Sequence, residues 1–127
     1  MKPPQIELKT NIEPIDLEIS QAVPIGIIIN EVVTNAIKHA FPSQSEKAVI
    51  CISLSMIDEN YAMLRIADNG IGLPPELKAE KNGLGLRLVT ELTKDVDGVM
   101  EVVGGPGTMV SIQFIPKPVL VQASILQ

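Results

Sequence analysis

Hydrophobic residues along this chain follow two spacings, each typical of one kind of secondary structure. From Gln5 to Ile12 they occupy every second position, which predicts a half-buried strand. After Pro14 the alternation resumes over residues 15–19 and predicts a second short strand. The same pattern predicts four more strands, over residues 48–57, 61–68, 99–103 and 108–115.

A long amphipathic helix is predicted between the second and third of these strands. Ser20 is a plausible N-cap, Pro24 is tolerated in a first helical turn, and Phe41 with Pro42 ends the helix after roughly 18 residues. Steps of three and four residues predict one buried stripe, made of Ile25, Ile28, Ile29, Val32, Val33, Ala36, Ile37 and Ala40.

The remaining elements complete a predicted fold class. A second helix is predicted from Leu84 to about Val96, because leucines recur there every four residues, at Leu84, Leu88 and Leu92. Turn residues at 58–60 and 104–107 indicate hairpins, so the sheet should be mixed and mostly antiparallel. Since each strand has one apolar face, the prediction is an α/β two-layer sandwich with helices on one face of the sheet.

Composition narrows the classes of function. The 127 residues suit one domain, and an apolar fraction of 46% is that of a globular chain. A formal charge of −5 disfavours nucleic acid and acidic membrane as partners, because both attract clustered Lys and Arg. Cys51 is the single cysteine, and neither a signal-peptide core nor an apolar run of about 20 residues is evident. We therefore expect a cytoplasmic domain without membrane insertion.

Four polar residues interrupt the apolar character of the long helix. Glu31, Asn35 and His39 lie four residues apart and share one face about one turn apart, with Lys38 beside them. In an arbitrary helix, a solvated side is a more common explanation of this pattern than a binding site. The choice depends on the motifs that follow in the sequence.

The first of these motifs, DNGIGLP at residues 68–74, directly follows a predicted strand. It places Asp68 at the strand end, and Gly70 and Gly72 allow positive φ angles and close approach of a ligand. A triplet of this kind is also common in ordinary turns.

Two further glycine motifs occur later. NGLGLRLV at residues 82–89 places Gly83 and Gly85 where a loop enters a helix, so that backbone N–H groups can meet an anion. GGPGT at residues 104–108 fits a tight hairpin. Each of these motifs is weak when taken alone.

Together and in this order, the motifs resemble the ATP-binding superfamily of type II topoisomerases, mismatch-repair proteins, heat-shock chaperones and sensor histidine kinases. NEVVTNAIKHAF is similar to the N box, DNGIGLP and GLGLRLV to the two glycine boxes, and GPGTMVSIQF to the closing strand. The likeness covers most of residues 5–116. It implies a Bergerat-type ATP-binding catalytic domain over residues 1–116, followed by a tail over residues 117–127.

Within the superfamily, the sequence is most similar to sensor histidine kinases in which a glutamate opens the N box and the phosphoacceptor helix is of the second type. The resemblance implies transfer of a γ-phosphoryl group to a histidine on a separate acceptor and dimerisation domain, with a response regulator as an indirect partner. His39 lies inside the N box and is not that acceptor. Residues 74–82 lack the phenylalanine of the commoner kinases' lid, and the chain lacks the tryptophan motif of a related light-sensing subgroup.

The resemblance also implies the cofactors, ATP and Mg²⁺, and roles for individual residues. Asn35 is expected to coordinate Mg²⁺ through its amide oxygen, and Asp68 to accept a hydrogen bond from the adenine amino group. Lys38 is placed to neutralise phosphate charge. The other expected contacts of ATP are His39, Gly70, Gly72, Leu73, Gly83, Gly85, Leu86 and Thr108, with Ile66 as a further apolar wall.

Two questions stay open at the level of sequence. Glu31 is the expected catalytic residue and could assist deprotonation of the acceptor histidine, or it could support a metal-bound water or pair with Lys38. The alternative function is a free-standing anti-sigma-factor serine kinase, whose N box is also similar to NEVVTNAIKHA. A degenerate regulator that no longer binds ATP is disfavoured by the intact Asn35 and Asp68 and by four loop glycines.

Overall fold

The structure, a computed structural model, describes residues 5–41, 47–72 and 86–118. Its elements are β1 (Ile6–Ile12), α1 (Ile19–His39), β2 (Ala48–Met56), β3 (Ala62–Asp68), α2 (Leu86–Asp95), β4 (Val99–Gly105) and β5 (Gly107–Phe114). The strands form one sheet in the order β1-β2-β3-β5-β4, in which β1 and β2 run parallel and all other neighbours are antiparallel. This confirms the predicted mixed, mostly antiparallel sheet.

The core lies between one face of this sheet and the two helices. α1 lies against β3, α2 lies against β4, and the helices contact each other. Alternate residues of the central strands point into this layer, as their period of two requires. The core side chains of these strands are Ile50, Ile52, Leu54, Leu64, Ile66, Val110, Ile112 and Phe114. The predicted α/β two-layer sandwich is therefore confirmed.

The start of α1 differs from the prediction. Residues 15–19 form no strand, because Glu18 is already the N-cap position of the helix. The N–H of Glu18 donates to the carbonyl of Lys117 at 2.8 Å. Ser20 lies inside the helix rather than at its N-cap, and Pro24 falls in the second turn rather than the first. The side chain of Gln21, only 2% exposed, donates to the carbonyl of Ile115 and accepts from the N–H of Lys117. The first turn of the helix is therefore held by bonds to residues 115–117, and the hydrophobic pattern around residue 20 contains no sign of these bonds.

The buried stripe of α1 is narrower than predicted. Ile25, Ile28, Val32 and Ala36 are buried, whereas Ile37 is 47% exposed because it lies on the outer side of the helix, away from the sheet. The remaining predicted positions, Ile29, Val33 and Ala40, pack partly buried against the core. No helix in the described part of the chain is long and apolar enough to cross a bilayer.

The predicted second helix is present as α2, but its buried face does not follow the leucine spacing. Leu86, Val89 and Thr93 are buried, whereas Leu88 is 45% exposed and Leu92 is only partly buried. A strict spacing of four drifts around a helix of 3.6 residues per turn, so it does not follow the contact line with α1. Thr93 is satisfied in the core because its hydroxyl donates to the carbonyl of Val89 at 2.7 Å. Leu84 lies outside the described residues.

A pair of glycine substitutions tests this packing. A Cβ at Gly70 would overlap the carbonyl oxygen and Cβ of Ala40, so Gly70→Ala should lower the free energy of unfolding by about 1–3 kcal/mol. Gly26 lies inside α1, and the position that a Cβ would take there has open space around it to 4 Å, so Gly26→Ala should raise the free energy of unfolding by about 0.5–1 kcal/mol. Urea denaturation measures both. A free energy of unfolding that rises in Gly70→Ala, as it should in Gly26→Ala, would contradict the close approach at Gly70.

Candidate functional site

A pocket opens where α1, the end of β3, the start of β5 and the first residue of α2 meet. It is lined by Val32, Asn35, Ala36, His39, Ala40, Asp68, Gly72, Leu86, Thr108 and Val110. Apolar walls with a few convergent polar groups are typical of small-molecule sites. The polar groups here are an amide, an imidazole, a carboxylate and a hydroxyl, contributed by three different elements.

α1 forms one wall of the pocket through the edge of its buried face. Val32 and Ala36 are buried, and Asn35 and His39 each follow one of them by three residues, which brings them to the same edge. Asn35 is half-buried and His39 is exposed. The polar residues of α1 therefore lie beside its apolar stripe rather than opposite to it, at the point where the helix edge meets a cavity.

Asp68 provides the carboxylate of the pocket from the last position of β3. It is held between neighbouring strands, in register with Ile50 of β2 and Thr108 of β5. Burial raises the pKa of its carboxyl group, although the backbone N–H groups of Gly70 and Thr108 act in the opposite direction. The N–H of Gly70 donates to Oδ1 of Asp68 at 2.9 Å. A partly desolvated carboxylate of this kind is a strong acceptor for a ligand N–H group.

The loop after Asp68 packs closely on protein backbone. The N–H of Ile71 donates to the carbonyl of Ala40 at 3.0 Å, which ties the loop to the end of α1. Gly72 has φ 77°, and a Cβ there would overlap the carbonyl oxygen of Gly105 in β4. The sequence interpretation assigned Gly70 and Gly72 to clearance for a nucleotide. The structure adds that α1 and the β4–β5 hairpin already occupy the space that their side chains would need.

Sequence reasoning missed one glycine of the site. Gly107 has φ 127°, and a Cβ there would overlap the carbonyl oxygen of Asp68. The motif around this glycine was interpreted as a hairpin and as the beginning of the closing strand, and Thr108 but not Gly107 was named as a site residue. Val32, Ala36, Ala40 and Val110 were also missed as lining residues, because buried apolar positions look alike in a sequence.

The structure brings six of the predicted site residues together in the pocket, namely Asn35, His39, Asp68, Gly72, Leu86 and Thr108. Gly70 lies in the adjoining loop. Half-buried Glu31 and exposed Lys38 lie on α1 but do not line the pocket. Ile66 is buried in the core rather than on a pocket wall, which corrects the sequence interpretation. Leu73, Gly83 and Gly85 lie outside the described residues.

Comparison with known proteins explains this arrangement. The model of the family described as histidine kinase-, DNA gyrase B- and HSP90-like ATPase matches residues 20–119, a range that contains every residue lining the pocket. The chain belongs to this ATPase family. The resemblance that was derived from the N box and the glycine boxes is thereby confirmed.

Relatives of this ATPase domain are sensor kinases. The domain is 30% identical over 111 residues to blue-light-activated histidine kinase 2 of Erythrobacter litoralis. The aligned region covers 86% of this chain and 32% of the relative. The domain is 34% identical over 112 residues to the nitrate/nitrite sensor protein NarQ of Escherichia coli. Here the aligned region covers 87% of this chain and 19% of the relative. The chain thus spans about a third or less of the length of these relatives.

A solved structure supports the same assignment. The histidine kinase domain of the Erythrobacter litoralis EL346 blue-light-activated histidine kinase superposes with a TM-score of 0.78 at 27% identity, over 86% of this chain and 54% of that chain. The ATPase domain is therefore an ATP-binding catalytic domain of the histidine kinase type, as predicted. The anti-sigma-factor alternative is not favoured by these relatives.

Proposed function

We propose that this domain binds Mg-ATP with adenine against Asp68 and phosphates toward Asn35, and donates the γ-phosphoryl group to a histidine on a separate acceptor domain. One observation carries the proposal. An amide of α1 and a carboxylate at the end of β3, which are 33 positions apart in the sequence, line the same pocket. In a chain of this ATPase family, those two groups suit the two ends of one nucleotide.

The adenine end of the proposed site is formed by β3 and β5. The exocyclic amino group of adenine is a donor, and the carboxylate of Asp68 is an acceptor in a partly desolvated position. Guanine presents an acceptor at the equivalent atom, so it would face the carboxylate with like polarity. Thr108 pairs with Asp68 across the two strands and can contact the base directly or through a water. Val32 and Val110 supply apolar surface for the ring.

The donor set fits Mg²⁺ bound together with phosphate. No group of three or more His, Cys, Asp or Glu side chains suited to a metal occurs among the described residues. Mg²⁺ often keeps several waters and takes few ligands from the protein when phosphates supply the others. Asn35 offers an amide oxygen at the pocket wall and Glu31 lies one turn earlier on the same side of α1. The bound cation would neutralise phosphate charge.

The phosphate end of the site has several proposed contacts. His39 lines the pocket, and exposed Lys38 beside it can swing toward phosphate oxygens. Leu86 brings the N-terminal end of α2 to the pocket, where main-chain N–H groups favour an anion. We propose that Gly83 and Gly85 continue this main-chain contact, with Gly70, Gly72 and Leu73 on the opposite side.

In the transfer step, the bond between the γ-phosphorus and the bridging oxygen of ATP breaks, and a phosphorus–nitrogen bond forms with the acceptor imidazole. This domain contributes mainly position and charge compensation to that step. Glu31 is the proposed base for the acceptor proton. The implied partners are the acceptor and dimerisation domain and, indirectly, a response regulator. ATP as the substrate and the exposed free thiol of Cys51 support a cytoplasmic location.

A reconstitution experiment tests this function. The domain is mixed with a separate acceptor-helix fragment and ATP labelled at the γ-phosphate, and the label is expected on histidine, as an acid-labile and base-stable phosphoamidate. Glu31→Gln should reduce the rate of labelling while leaving ATP affinity within about twofold, because a base acts on the step and not on nucleotide binding. Acid-stable phosphoserine on the acceptor would contradict the proposal and support a serine kinase.

A further inference from the structure

The residue after the pocket carboxylate is unusually well bonded for an exposed side chain. Asn69 is exposed, yet Oδ1 accepts from the N–H of Val49 at 2.7 Å and Nδ2 donates to the carbonyl of Lys47 at 2.8 Å. Its own N–H donates to the carbonyl of Val49 at 3.2 Å. Three of its polar groups are therefore bonded to the backbone at the beginning of β2.

These bonds extend the pairing of β2 and β3 beyond the end of the strand. The last paired residue of β3 is Asp68, opposite Ile50. One step further the chain leaves the sheet for the glycine loop, and the N–H of Asn69 still bonds to the carbonyl of Val49. The side-chain oxygen of Asn69 accepts the N–H of Val49 that the next ladder bond would have used, so side chain and main chain together hold the peptide that follows Asp68 against β2.

We propose that Asn69 is the positioning residue that aims the carboxylate of Asp68 into the nucleotide pocket. The backbone N–H groups of Gly70 and Thr108 bond to the carboxylate itself, whereas Asn69 holds the main chain from which the carboxylate extends. Gly107 packs on the carbonyl group of Asp68 from the β5 side, and the N–H of Gly70 donates to Oδ1 from the loop side. On the β2 side, the chain just past Asp68 is held by the side-chain amide of Asn69, which makes two bonds, and by the N–H of Asn69, which makes one.

Asn69 also links the pocket to the edge of the sheet. Lys47, whose carbonyl it binds, forms an ion pair with Glu7 of β1 at 2.5 Å. The loop is tied at its other end by the bond from Ile71 to the end of α1. The loop that follows Asp68 is thus bonded to β2 at Asn69 and to the end of α1 at Ile71, and the carboxylate lies directly before these two bonded residues.

The test measures base selectivity, since a general loss of stability would not change it. The inference rests on the proposed adenine contact of Asp68, so the ratio of ATP affinity to GTP affinity is measured by calorimetry on the full chain. Asn69→Ala should weaken ATP binding about five- to tenfold and leave GTP binding nearly unchanged, so the ratio falls by a similar factor. Asn69→Ser, which can keep one backbone bond, should lose less and serves if the alanine variant folds poorly.

A matched control is available in the β2–β3 hairpin. Asn60 is also an exposed asparagine, but it lies at the opposite end of β3 from the pocket, so Asn60→Ala should leave the ratio unchanged. A wild-type chain without preference for ATP would overturn the adenine contact itself. A wild-type preference that survives in Asn69→Ala, or that falls equally in Asn60→Ala, would overturn the positioning role alone.

Discussion

Asp68→Asn is expected to weaken ATP binding roughly 10- to 100-fold while leaving the folded domain at least as stable as the wild type. The substitution leaves one oxygen for the backbone N–H groups of Gly70 and Thr108 and places an NH₂ group where the adenine amino group needs an acceptor, so two donors face each other. The loss corresponds to about 1.4–2.7 kcal/mol, close to what a hydrogen bond to a charged group contributes. Titration calorimetry with ATP gives the affinity, and urea denaturation without ligand gives the stability.

The expected stability follows from the raised pKa of Asp68. A carboxyl group whose pKa is higher in the folded than in the unfolded chain costs stability while it is ionised. That cost is full at pH values above the folded pKa, and it disappears as the pH falls below the unfolded value. At neutral pH the neutral amide therefore removes an unfavourable contribution, and this part of the pH dependence of unfolding should vanish in the variant.

Asp58→Asn is the matched control for this prediction. Oδ1 of Asp58 also accepts backbone N–H groups, those of Asn60 and Tyr61 at 2.8 Å, but it does so in the hairpin turn at the far end of β3. Its substitution should leave ATP affinity unchanged. Unaltered ATP affinity in Asp68→Asn would remove the adenine assignment and leave the pocket without a proposed base contact.

Asn35→Ala is expected to remove most of the contribution of Mg²⁺ to ATP binding. The amide oxygen at the pocket wall is the proposed protein ligand of the cation, and alanine offers no oxygen there. In the wild type, affinity for ATP should be at least about tenfold higher with Mg²⁺ than with a chelator, a difference of about 1.4 kcal/mol. In Asn35→Ala the two affinities should lie within about threefold of each other.

Asn30→Ala supplies the control for the metal prediction. Asn30 lies on the same helix but is exposed and does not line the pocket, so the effect of Mg²⁺ should be that of the wild type. Helix content measured by circular dichroism should be unchanged in both variants. Full dependence on Mg²⁺ in Asn35→Ala would contradict the ligand role, even if the affinity for ATP itself fell.

The sequence predicted best where the physical constraint was local. Alternation placed β2 and β3 within one or two residues of their observed bounds, because a strand with one buried face must repeat every two positions. The turn at residues 58–60 and the GGPG hairpin followed from the backbone preferences of their residues. The boundaries of the ATP-binding domain and its tail, at residue 116, stay a prediction.

The failures have a common cause in contacts between distant segments. The false strand over residues 15–19 and the misplaced cap at Ser20 arose because the bonds of Glu18 and Gln21 to residues 115–117 are formed across almost the whole chain. The leucine spacing of α2 does not reveal its buried face, because packing against α1 decides which side chains are covered. The sequence interpretation assigned Ile66 to a wall of the pocket. Ile66 lies on the strand that ends in Asp68, but its side chain is buried in the core.

Apart from the false strand over residues 15–19, the sequence by itself determined the elements, the two-layer architecture and, through the order of its motifs, the ATPase family. These depend on spacing and residue type, which a linear chain carries in full. Only the tertiary structure decided that Asn35 and Asp68 line one pocket, that Gly107 packs on Asp68, and that Asn69 bonds to the start of β2. Such relations are distances between segments far apart in the chain, and they exist only after the helix edge, the strand end and the hairpin have packed together.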